Sequence, residues 1–218
     1  MRDFFNIESP FMQLLTRLGD MIIVNFLFLV CCTPLITVGA SAAALHKVTQ
    51  AIVLDEDNGI VKTFFRAFRD NFKQATGVWL MILVFAAATV CNYLLVAGFT
   101  VGMTAAILKG ILVLAAVLVL VIAAYLFPLL VRYSNTVRQH AVNALILAIV
   151  KLPRTVGLVL LCAMPILILL LSLQTFVSTL VFWLTLGFAF TSYMSSILLK
   201  PVFKELEDTD GPGIQIMK

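Results

Sequence analysis

The chain has 218 residues with a formal net charge of +4, and it is 62% hydrophobic but only 12% charged; its mean hydropathy is +1.09. These values exclude an ordinary water-soluble domain and a disordered chain, and they leave lipid as the solvent for most residues. Lys and Arg flank apolar runs, so the basic excess reads as membrane topology, with the lipid bilayer and its anionic leaflet as partner and no nucleic acid.

In chain order, residues 1–19 form a mixed-charge tail, and Ser9-Pro10 supplies an N-cap and a first-position proline for a helix that runs on into the membrane. Residues 21–45 carry no charge and are expected to make one span, kinked at Pro34. Below the kink, Gly39 to Ala44 are small, and a face containing Gly39 and Ala43 would let another helix approach closely. The alternative is a re-entrant hairpin bent at Pro34, which would leave both termini on one side.

An acidic turn, residues 55–59, leads into an amphipathic helix over 60–73. Val61, Phe64, Phe65, Phe68 and Phe72 share one face of it, and Lys62, Arg66, Arg69, Asp70 and Lys73 share the other. Such a helix suits the plane of a lipid surface, with Phe64, Phe65, Arg66, Phe68, Arg69 and Phe72 available to a partner protein. Further spans are expected at 76–97, 107–131, 156–173 and 176–199. The apolar run 141–150 is too short to cross and should form a second interfacial helix, stopped at Pro153, with Lys151 at its end.

The segments 60–97 and 137–173 read as a loose parallel repeat, each a cytoplasmic helix followed by a basic stop and a span. Placing both large loops and the C-terminus inside puts twelve of the fifteen Lys and Arg residues in the cytoplasm and leaves Arg2, Arg17 and Lys109 outside. With five spans the N-terminus is then expected outside. The fold class is therefore an all-α polytopic transmembrane bundle, about five spans plus two cytoplasmic interfacial helices. It occupies a single domain over 1–204, followed by a flexible cytoplasmic tail over 205–218.

No span carries Asp, Glu, Lys or Arg near its middle, which argues against an ion-driven transporter. Polar groups within spans, among them Asn25, Asn92, Tyr93 and the cluster from Thr191 to Ser196, are expected to bond between helices. Cys31, Cys32, Cys91 and Cys162 sit in apolar runs and read as reduced thiols. His46 and His140 stand alone at membrane edges, with no activated nucleophile, metal-ligand spacing or phosphate loop, so a non-enzymatic protein without metal or cofactor is expected.

Three stretches carry a family resemblance: Thr33-Pro-Leu-Ile-Thr-Val-Gly-Ala-Ser-Ala-Ala-Ala-Leu45, Phe65-Arg-Ala-Phe-Arg-Asp-Asn-Phe-Lys-Gln74 and Phe127-Pro-Leu-Leu-Val-Arg-Tyr-Ser-Asn-Thr136. With them the chain resembles the YesL-like family of small bacterial membrane proteins. That resemblance implies a bacterial cell-membrane location and a carbohydrate-uptake context. In that context the partners are the permease and ATPase subunits of an oligosaccharide ABC importer, or its associated sensor kinase. The expected role is an accessory subunit packed on the permease, with a kinase-regulating partner or a small-solute permease as alternatives.

Overall fold

The computed structural model describes residues 10–56, 59–99 and 102–208. Ser9 as a cap, Asp57 and Asn58 of the acidic turn, Thr100 and Val101 of the short link, and the tail over 209–218 lie outside them. The helices are α1 (Pro10–Cys31), α2 (Val38–Val53), α3 (Ile60–Phe99), α4 (Met103–Leu130), α5 (Val137–Val150) and α6 (Leu152–Leu171). The last rod is α7 (Leu173–Phe182) and α8 (Phe188–Asp208), joined without a break by a π turn over Trp183–Gly187. The fold is thus all-α with five rods long and apolar enough to cross a membrane: α1, α3, α4, α6 and α7–α8. Two shorter helices, α2 and α5, complete it.

Residues 21–45 are two helices and not one kinked span. Pro34 cannot donate, and α1 stops at Cys31; the Thr37 hydroxyl lies 2.6 Å from the Cys31 carbonyl and 2.8 Å from that of Pro34, which also accepts from the Thr37 N–H, and its one proton is shared between the two across a full reversal. α2 runs back along α1, so that Arg17 donates to Asp55 at 2.7 Å. At the tip of this hairpin the Trp79 indole N–H donates to the Leu35 carbonyl at 2.9 Å. At the other end Lys200 donates to the Val53 carbonyl at 3.0 Å. The start of α1 and the end of α8 therefore share one face of the bundle, the arrangement that a hairpin bent at Pro34 entails.

The amphipathic segment 60–73 is likewise not a separate helix in the lipid plane. It is the first part of α3, whose 40 residues reach about 60 Å at ~1.5 Å each. The lower part packs on the hairpin, and beyond Trp79 the helix continues for about 30 Å as an apolar rod. In the supposed repeat, α3 is continuous where its counterpart breaks between α5 and α6 at Lys151, so the two units differ in shape.

Packing explains this arrangement. Phe64 is fully buried and Phe68 partly so, against Met21, Val24 and Phe28 of α1 and Leu45 and Val48 of α2. Gly39 lies so close to α3 that a methyl group built on it would fall 2.5 Å from Trp79 Cβ and inside the contact radius of the Ala75 carbonyl oxygen. Ala43 packs with Ala75, Val78 and the end of α4. A second core joins Tyr125 and Leu129 of α4, Ala144 and Leu147 of α5, Leu158 of α6, and Leu199, Val202 and Phe203 of α8. Thr136 and Gln139 form a reciprocal cap at the start of α5. Residues 205–208, expected within the flexible tail, form the last turn of α8.

Candidate partner-binding surface

Lys62, Arg66, Arg69 and Lys73 follow one another at offsets of four, three and four residues, which places them in one row along α3. All four are exposed, and none makes an ion pair among the described residues. Val61, Phe65 and Phe72, also exposed, flank the row as an apolar strip. The buried face of Phe64 and Phe68 points the other way, into the hairpin. The amphipathic pattern therefore resolves into two functions: Phe64 and Phe68 hold the fold, and Phe65, Phe72, Arg66 and Arg69 remain on the surface. Beside the row, Lys47, Glu56, Arg66, Asp70 and Asn71 line a cleft of about 270 Å³. A larger cavity of about 870 Å³ opens between α1, α2 and the start of α3, lined by Gln13, Arg17, Asp20, Ile52 and Glu56 among others.

The remaining candidate residues are occupied within the chain. Gly39 and Ala43 are buried against α3 and offer no surface for a partner. Lys151 is ion-paired with Glu205, which also draws in Arg154 at 3.9 Å, and Arg132 pairs with Glu207 at 2.7 Å. These contacts tie the end of α8 to α4, α5 and α6. Arg132, Lys151 and Arg154 thus have carboxylate partners, and among the described residues the four cations of the α3 row have none.

The hydroxyl cluster on α8 meets α2. Thr49 lies 2.8 Å from Ser192 and 3.1 Å from Ser196, and His46 Nδ1 lies 3.0 Å from Ser192 Oγ. These side-chain bonds fix α2 against α8. Asn92 donates to the Ala88 carbonyl of its own helix at 2.8 Å and faces outward. Asn25, by contrast, is fully buried against the π turn.

His140 on α5 is buried, and neither ring nitrogen has a hydrogen-bond partner among the described residues. Burial holds its pKa below the usual histidine value, only partly offset by the nearby Tyr133 backbone. The folded protein thus disfavours the imidazolium. Below the ordinary histidine pKa of about 6.5 the unfolded chain takes up the proton first, so stability falls as pH falls, by at most ~1.4 kcal/mol per pH unit. Thermal unfolding in detergent between about pH 7.5 and pH 5 should show this slope, and His140→Leu should flatten it.

Taken together, the long apolar rods, the capped short helices and the charged ends define a small polytopic membrane protein of the all-α class. The family model described as "Protein of unknown function, DUF624", the family also known as YesL-like, matches residues 21–93. That segment holds the second half of α1, all of α2, the basic row of α3 and two of the three stretches of resemblance; the third, Phe127 to Thr136, lies beyond it. No curated protein and no solved structure matches the chain.

Proposed function

We propose that the chain is a non-enzymatic membrane accessory subunit of a carbohydrate ABC importer, and that it docks on the permease or ATPase subunits through the α3 row. The observation that carries this reading is the set of four cations without an ion pair among the described residues, beside exposed Phe65 and Phe72 on a long helix whose later part is apolar. From Lys73 to Lys62 the row extends about 16 Å along the helix axis. A headgroup layer is only about 5–8 Å deep on each side of a bilayer, so a row of this length on an upright helix extends further than the headgroups themselves. A protein surface with acidic and apolar patches fits the whole row. The YesL-like resemblance supplies the importer context, and by the positive-inside rule the face bearing the row is cytoplasmic.

The test is the double variant Arg66→Glu/Arg69→Glu, expressed with its native partners and recovered by mild detergent extraction. Recovery of permease and ATPase subunits should fall at least about tenfold at low salt, as expected when two rim charges turn repulsive. Wild-type recovery by the variant would remove the row as a docking element. A sensor kinase recovered in place of importer subunits would move the role to signalling.

A further inference from the structure

The rod α7–α8 contains one π turn, Trp183–Gly187, within otherwise α-helical geometry. A π turn holds one extra residue, so everything after it is rotated by about 100° relative to an uninterrupted α-helix. It also leaves backbone groups without their usual partners. Asn25 of α1 meets those groups: its Nδ2 donates to the carbonyls of Trp183 (3.2 Å) and Leu184 (2.8 Å), and its Oδ1 accepts from the Ala189 N–H at 3.0 Å. The side chain is fully buried, and both amide donors and the oxygen are used. The Trp183 ring lies directly over Gly187, leaving no room there for a Cβ.

The phase set by this turn decides what α8 shows to α2. Ser192, Ser196 and Lys200, spaced by four, meet His46, Thr49 and the Val53 carbonyl. Without the extra residue, with α7 held in place, Thr191, Ser195 and Leu199 would occupy those positions. The chain carries hydroxyls at both phases, as the doublets Thr191-Ser192 and Ser195-Ser196. Thr49 and His46 thus find hydroxyl partners in either register, while the Lys200–Val53 contact and the ion pairs of Glu205 and Glu207 belong to the first register alone.

We propose that α8 is a two-register element. The π register is held by the Asn25 clasp, and an α register is reached when the clasp is removed, coupling the α1–α2 hairpin to the rotation of the C-terminal helix. Loss of Asn25 would leave the Leu184 carbonyl and the Ala189 N–H without the partner they have here in an apolar setting, and closing the π turn into α-helix re-pairs them within the rod.

Cysteine cross-linking in a background without the four native cysteines tests this. Thr49→Cys with Ser196→Cys reports the π register, because the two side-chain oxygens lie 3.1 Å apart; Thr49→Cys with Ser195→Cys reports the α register. With Asn25 present the 49/196 disulfide should dominate. With Asn25→Leu it should be lost and the 49/195 disulfide should take its place. Deleting Leu184 in the Asn25→Leu chain removes the extra residue while keeping the downstream phase, and should restore cross-linking between the residues numbered 49 and 196 here. If Asn25→Leu keeps the 49/196 disulfide, the proposal is overturned. If Asn25→Leu loses both disulfides and the deletion restores neither, it is overturned as well.

Discussion

Gly39→Leu is expected to prevent accumulation of folded protein, and Gly39→Ala to lower its stability at the upper end of the ~1–3 kcal/mol typical of overpacked cores. The added carbon would meet the Ala75 backbone and the first atom of the Trp79 side chain. Neither can swing aside, so α2 and α3 must separate. Gly110 provides the control, since a Cβ there meets nothing within 4 Å. Gly110→Ala should be neutral or slightly stabilising, because alanine is the better helix former by about 1 kcal/mol. Size-exclusion profiles of detergent-extracted protein after a temperature series would separate the variants. A Gly39→Ala protein as stable as Gly110→Ala would mean that the close crossing of α2 and α3 is wrong.

Phe64→Ala is expected to cost about 3–5 kcal/mol, the usual loss for a buried aromatic, while Phe65→Ala should stay within about 0.5 kcal/mol of the parent. The residues are adjacent, with rings in edge contact at 5.7 Å, but Phe64 is closed in by α1 and α2 and Phe65 is about half exposed. The proposed docking role reverses the order in a second measurement. Phe65→Ala should reduce recovery of partner subunits without loss of stability. Equal melting behaviour of the two variants would show that the amphipathic face is not divided between core and surface.

The helical character of 60–73 and the identity of its two faces are legible from periodicity alone, because spacing fixes which side chains share a side of a helix. What covers the apolar face is not, since burial by protein and burial by lipid leave the same pattern of phenylalanines. Pro34 raises a similar ambiguity: a kink and a reversal begin with the same lost hydrogen bond. The reversal is decided by residues far away, Asp55 beside Arg17 and Ala75 beneath Gly39. The capping pair Thr136 and Gln139 is a local signal that could have fixed the start of α5 from the sequence. The π turn leaves no such mark, because Asn25 and Trp183 are brought together only by the folded hairpin. Of the surface candidates, the exposed cations of α3 are readable, but that none of them forms an ion pair among the described residues is a matter of tertiary placement, with Glu205 and Glu207 folded against other cations.

Those two glutamates also impose an order in time. Arg132, Lys151 and Arg154 leave the ribosome before Glu205 and Glu207, and domains assemble from the N-terminal side as synthesis proceeds. Until the glutamates follow, the cations that flank α4 and α6 carry unopposed charge, the kind of charge that the positive-inside rule counts. When the last turn of α8 arrives, its carboxylates neutralise them. The charge flanking α4 and α6 is thus opposed only once α8 is in place, whereas the row along α3 keeps its charge with no carboxylate partner among the described residues.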